Sequence, residues 1–291
     1  MKLKTLNETP SWEWPENAAT LVLDTLKDRS ASKEDRLLAA ELAGDAVILS
    51  EEIAGALLAI LKAGEEEDDL RSAAAISLGP GLEEADLGDD EDPDDFPALS
   101  DSFIRDLQKS LHKLYSDPRV PADVRRSTLE ASVRNPQDWH SKAVRDAYAS
   151  KDSDWRLTSV FCMRYVRGFE KEILESLEST DPEIHYNAVE AAGNWELDEA
   201  WPHISRLVTS KNTEKSLLLA AIWAAAAIRP SEIHIIEPLS DSYDEDIAEA
   251  AMDAMTEAEF VAGWDSDAEE DEDENFDPDD GPDEEGKNGN R

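Results

Sequence analysis

The chain has 291 residues, with 69 acidic against 28 basic side chains, a formal net charge of −41 and a single cysteine. A field of that sign repels nucleic acid and anionic membrane and attracts basic proteins or cations, and one cysteine excludes a disulfide framework. No apolar stretch approaches the ~18 residues of a membrane span, and Met1-Lys2-Leu3-Lys4-Thr5 leads into polar Asn7-Glu8 rather than an apolar signal core, so a soluble cytoplasmic protein is expected.

Residues 1–17 read as an irregular segment, with Trp12 and Trp14 flanking Glu13. From Ala18, the spacing of Leu21, Leu23 and Leu26 predicts a capping helix that ends near Asp28-Arg29-Ser30. Then one pattern recurs: an acid, an Arg or His close behind it, and a run of small and aliphatic residues. It stands first as Asp35-Arg36-Leu37-Leu38-Ala39-Ala40-Glu41-Leu42-Ala43-Gly44 and returns from Asp69-Leu70-Arg71, from Asp123-Val124-Arg125, from Asp154-Trp155-Arg156 and from Asp181 to His185. Positions 36, 71, 125, 156 and 185 are 35, 54, 31 and 29 residues apart, a period near 30 with one long insertion, which is the mark of a helical repeat array.

Each copy predicts the first helix of a pair, and an apolar-striped second helix comes after it. Ile53, Leu57 and Leu61 fall at the spacing of one buried face, as do Phe103, Leu107, Leu111 and Leu114, and then Ile173, Leu174 and Leu177. Further second helices are expected over 138–149, 199–209 and 231–240, and two late first helices, without the Arg, over 217–227 and 247–255. Asp181-Pro182 supplies an N-cap and a first-turn proline, while Gly44, Gly79 and Gly193 stand where a left-handed residue would end a helix. Residues 83–95 hold nine acids and no base, so 83–99 reads as an acidic loop extruded from the array. Residues 265–291 hold 14 acids, two bases and one large apolar residue, Phe276, the composition of a disordered acidic tail. The expected fold is therefore all-α: an α-solenoid over 18–264 of about seven helix pairs, with that insertion and that tail.

These repeats, with their Asp-x-Arg and Ala-Ala pattern, resemble the HEAT repeat, in particular the short bacterial form of the phycobilin-lyase-like HEAT proteins, over roughly residues 18–262. The resemblance implies second helices on a concave face and a structural ladder of Asp and Arg between neighbouring units, here Asp35, Arg36, Asp69, Arg71, Asp123, Arg125, Asp154 and Arg156. His185 departs from that pattern. It also raises two enzymatic possibilities. Deoxyhypusine-hydroxylase-like HEAT enzymes hold iron with His-Glu pairs, and none of the five histidines (His112, His140, His185, His203, His234) is followed by Glu. A bilin-lyase-like or other ligand-handling enzyme has no short motif by which to recognise it and stands as the alternative function.

No metal constellation, Gly-rich phosphate loop or nucleophile-base ordering appears, so no catalytic residue, metal or cofactor is expected. Cys162, within Val160-Phe161-Cys162-Met163, reads as a buried structural thiol. The charge is not spread evenly: residues 105–171 carry 14 bases against nine acids, half of all the Lys and Arg in the chain. Within that zone Arg126, Arg134, Trp139, His140, Lys142, Arg145, Arg164 and Arg167 combine basic and aromatic side chains as protein-binding hot spots do. The expected role is a non-enzymatic scaffold or adaptor that binds another protein of basic character, with its acidic loop and tail shielding that client, and without direct contact to nucleic acid or membrane.

Overall fold

The computed structural model describes residues 3–87 and 99–273. Among the described residues every regular element is helical, and the chain divides into two compact units, Met1–Trp195 and Glu196–Arg291.

The first unit runs through α1 (Leu3–Asn7), α2 (Ala18–Lys27), α3 (Lys33–Leu42), α4 (Glu51–Lys62), α5 (Asp68–Ile76), α6 (Gly79–Leu87), α7 (Asp101–Ser116), α8 (Ala122–Ser132), α9 (Asp138–Tyr148), α10 (Ser153–Cys162), α11 (Glu170–Ser176) and α12 (Pro182–Asn194). The first helices α3, α5, α8, α10 and α12 pack in succession on one another, and α4, α7, α9 and α11 are the second helices. Helix starts are fixed by side chains that accept orphan backbone N–H groups: Ser32 takes that of Asp35, Ser50 that of Ile53, Ser100 that of Phe103, and Asp181, ahead of Pro182, those of Glu183 and Ile184.

The small residues of the repeat pattern have a packing reason. Ala39, Ala40 and Ala43 of the first copy, Ala74 and Ala75 of the second, Thr128, Ala131 and Ser132 of the third and Ala188, Ala191 and Ala192 of the fifth are all buried, so successive first helices approach backbone to backbone. At Gly44 the approach leaves no room for a side chain: a Cβ there would stand 3.0 Å from the Ser77 Cα. This corrects the expectation of left-handed glycines. Gly193 lies inside α12, Gly79 opens α6, and among the described residues the glycine with positive φ is Gly168, at 89°. The second helices contribute the large apolar groups, with Ile53, Leu57, Leu61, Leu107, Leu111 and Ile173 essentially fully buried, each such side chain contributing roughly 1.5–3 kcal/mol of transfer free energy.

In the first unit two boundaries differ from the sequence reading. The start of the chain is not irregular throughout, because Leu3 and Leu6 of α1 are buried and the Trp14 indole donates to the carbonyls of Leu6 (3.0 Å) and Thr9 (2.9 Å), fastening the segment down. The acidic insertion begins as structure: α6 continues through residues 83–87, held by the fully buried Leu82 and by an ion pair from Arg134 to Glu83. The rest of the insertion, 88–98, lies outside the described residues.

The second unit contains α13 (Trp201–Thr209), α14 (Lys215–Ile228) and α15 (Glu245–Asp273), with α14 packed on both. Where an α-helix was expected over 231–240, the chain forms a 3-10 helix, Pro230–Leu239; Pro238 inside it lacks an N–H and its ring would clash with the carbonyl four residues back in an α-helix. Lys215 joins Asp244 (2.7 Å) and Asp246 (2.6 Å) at the start of α15, and Arg229 grips Asp198. Helix α15 goes on to Asp273, nine residues into the segment expected to be an unstructured tail, as the run Asp267-Ala268-Glu269-Glu270, free of Gly and Pro, permits. Residues 274–291 lie outside the described residues. No described helix is long and apolar enough to cross a membrane.

Candidate functional site: the arginine and aromatic edge of the central repeats

The repeat Arg has a definite place in the fold. Arg36, Arg71, Arg125 and Arg156 are each the fourth residue of their first helix, as is His185, so each begins near the end of the preceding second helix, where unpaired carbonyls favour a cation. In the early repeats this is what happens. Arg71 Nε donates to the Leu61 carbonyl (3.1 Å) and its Nη1 approaches Asp68 (3.4 Å). Arg36 reaches the Leu26 carbonyl (3.4 Å) and makes a two-pronged ion pair with Glu66 (2.7 and 3.0 Å). Both members of that pair are nearly buried, and the Arg36 guanidinium holds the Glu66 carboxyl below the usual carboxylate range.

The ladder of acids is arranged differently from the one the resemblance implied. Asp35 bonds its own cap, Ser32. Asp69 is paired across the repeat by Lys33 (2.8 Å), which depresses its carboxyl, and Asp123 and Asp154 are bridged by Arg126 (2.9 and 3.2 Å). Neighbouring repeats are thus linked through Lys33, Arg36 and Arg126, while Arg36 and Arg71 also bond carbonyls of the helices that precede their own.

Most of the candidate partner-binding residues are engaged within the unit. Arg134, paired with Glu83, and Arg164, paired with Glu190 (2.7 Å), lie over the rings of Phe161 and Tyr165 at 5.5–5.8 Å. Trp139 stacks on His112 at 4.5 Å with ring planes 7° apart and touches Tyr115 at 5.1 Å. His140 is fully buried: its Nδ1 accepts the Gln137 N–H (2.8 Å), so the neutral ring carries its proton on Nε2 and donates to Ser132 Oγ (2.9 Å). Burial pushes its pKa down to about 4. His140 therefore shapes the turn between α8 and α9 and cannot meet a partner. Lys142 is exposed and pairs with Asp146 one turn on. Arg145 and Arg167 are exposed, over Phe169 (5.2 Å) and Trp195 (4.5 Å) respectively. Cys162 is buried and its thiol is pushed well up by desolvation, which leaves it inert.

The residue that stands apart is Arg125. Its guanidinium lies over Trp155 (5.3 Å) and Tyr115 (5.9 Å), and Tyr115 meets Trp155 edge to face at 6.2 Å. These groups with Asp146, Ala147 and Ser150 line a cavity of about 210 Å³. Next along the same edge, the exposed Arg156 covers the Tyr148 ring at 4.9 Å and reaches its hydroxyl at 3.4 Å. Sequence reasoning missed Tyr115 and assigned Arg125 to the ladder. The available signal was that Tyr115 stands ten residues before Arg125, as Leu61 does before Arg71 and Leu26 before Arg36. Among the described residues no group of three or more His, Cys, Asp or Glu is placed to hold a metal ion.

The stacked helix pairs of the first unit make it an α-solenoid. The chain matches no protein-family model, and no curated protein is similar to it at a meaningful level. Similar solved structures include YibA of Escherichia coli (12% identity, covering 87% of this chain and 90% of that one, TM-score 0.43). Human deoxyhypusine hydroxylase in complex with glycerol is another (16% identity, 84% and 97% covered, TM-score 0.37). Kap95p, from a complex with RanGDP, is a third (12% identity, 88% and 43% covered, TM-score 0.42). None of these likenesses bears on what this chain does.

Proposed function

We propose that the protein is a non-enzymatic cytoplasmic scaffold that binds a basic protein segment through acidic helical surface. The observation that carries this reading is on α15. Glu245, Glu249, Asp253 and Glu257 stand four residues apart and are all exposed, with Met252 and Phe260 exposed beside them. Like charges at that spacing destabilise a helix by roughly 0.2–0.5 kcal/mol per pair, so the row is a cost to folding that a basic partner would offset. The central zone, whose bases outnumber its acids, does not compete for the role, because its half-buried Arg126, Arg134 and Arg164 already hold carboxylates.

A partner of this kind is a Lys- and Arg-rich amphipathic segment, its cations on the row and its apolar side on Met252 and Phe260. The test is titration of such a labelled peptide at about 50 mM and about 500 mM salt, where binding is expected to weaken at least about tenfold as screening rises. The triple variant Glu249→Lys, Asp253→Lys, Glu257→Lys should abolish it. Salt-insensitive binding, or full binding by the variant, would overturn the reading. The finer resemblance, to phycobilin-lyase-like HEAT proteins, implies instead a ligand-handling enzyme, and a pigment that co-purifies with the protein would favour it.

A further inference from the structure

We propose that the cavity beneath Arg125, Tyr115 and Trp155 is a binding site for a carboxylate group. The reason lies in what the repeat supplies at this point and what the third copy withholds. In the first copy the Arg at helix position four is neutralised by Glu66, which stands immediately before the N-cap residue of the next first helix, Glu67. The corresponding residue before the N-cap Asp152 is Lys151. The internal carboxylate is replaced by a cation, and Trp155 covers the guanidinium instead.

Arg125 is consequently half-buried with two aromatic contacts, and among the described residues no group accepts a hydrogen bond from its side chain. A guanidinium packed on rings keeps its in-plane donors free, because a ring face accepts charge without accepting those N–H groups. Arg36, Arg71, Arg126, Arg134 and Arg164, the other side chains of this kind in the unit, each hold a carboxylate. Arg125 has the same chemistry and an adjoining cavity in place of the acid.

The cavity defines the size and character of the ligand. At roughly 30 Å³ per water, about 210 Å³ accommodates a carboxylate with two or three methylenes, the dimensions of a Glu side chain. Tyr115 and Trp155 supply apolar walls for the methylenes. Asp146, already held by Lys142, and Ser150 line the same cavity. A carboxylate therefore sits toward Arg125, and a ligand with an N–H beside it gains Asp146 as an acceptor. The shared chemistry is the carboxylate; its source is either an acidic side chain of a partner peptide or a free organic acid. This inference does not depend on the acidic row of α15.

The test is an NMR titration of the full chain, following the Trp155 indole N–H and the residue 125 amide, with sodium acetate, sodium glutarate and the peptide unit N-acetyl-glutamyl amide, each against sodium chloride at equal ionic strength. Saturable shifts with the carboxylates and not with chloride are expected. Lys151→Glu restores the internal acid at an exposed position and should weaken binding at least about tenfold by occupying Arg125 from within, whereas Lys151→Gln should change it less than about threefold. Arg125→Gln should remove it. Tighter binding of the glutamyl amide than of glutarate assigns the site to peptide side chains, and the reverse order assigns it to free acids. Equal response to chloride, or full carboxylate binding by both Lys151→Glu and Arg125→Gln, would overturn the proposal.

Discussion

Arg36 and Arg125 occupy the same position in the repeat and have opposite fates. Arg36 is closed in by Glu66 and the Leu26 carbonyl, whereas Arg125 lies between Trp155 and Tyr115 beside an open cavity. The residue before the N-cap of the next first helix is Glu66 in the one case and Lys151 in the other, and Leu26 of the first site is matched by Tyr115 at the second. A buried ion pair is a structural tie whose removal strands a charge. An arginine on aromatic faces keeps its position through dispersion and the ring quadrupole, and its hydrogen bonds stay available. At this one repeat position the array thus holds Arg to an acid in the first copy and on rings alone in the third.

The largest expected effect is on the closed side of this comparison. Arg36→Ala leaves Glu66 without its partner in a nearly buried setting and should cost about 3 kcal/mol in urea denaturation. A loss under about 1 kcal/mol would erase the distinction between the two sites.

The next concerns His140, which supports the turn beside the open site. Its folded pKa of about 4 lies below the value near 6.5 of an unfolded histidine. Between those values the unfolded chain binds the proton and the folded chain does not, so acid favours unfolding and the stability from this group is lost as pH falls from about 6.5 toward 4. From pH 7 to pH 5 the loss is about 2 kcal/mol, and His140→Gln should flatten that part of the pH profile. An unchanged slope in the variant would move the pH dependence to other groups.

Arg125→Ala should cost only about 1 kcal/mol, the worth of its ring contacts, well below the Arg36 figure. A loss as large as that at Arg36 would show that Arg125 is also a structural tie. The smallest effect belongs to Lys142→Ala, which breaks an exposed pair with Asp146 and should stay within about 0.5 kcal/mol by denaturation.

The repeat architecture was legible in the sequence because each pair buries its own periodic stripe. Leu57 and Leu61, Leu107 and Leu111 and the alanines after each Arg are core residues at the spacing that predicted them. The ends were less legible. Leu3 and Leu6 make too short a stripe to register, yet they are buried, and α6 was hidden in an acidic run by the single core residue Leu82. Glycine was misjudged at Gly44, because close approach to Ser77 and left-handed geometry exclude side chains equally well and leave the same residue in the sequence.

By itself the sequence determined the helices, their pairing and the excess of negative charge, since these come from local periodicity and composition. It also placed a cluster of basic and aromatic residues in the central repeats. Which of those cations were spent was decided by tertiary structure alone. Arg126 finds Asp154 and Arg134 finds Glu83 from 28 and 51 residues away, and His140 loses its charge to burial. Charge is a property of the residue, but its availability depends on which acids, rings and carbonyls the fold brings within reach: the half-buried Arg126, Arg134 and Arg164 each receive an acid, and the half-buried Arg125 receives rings alone.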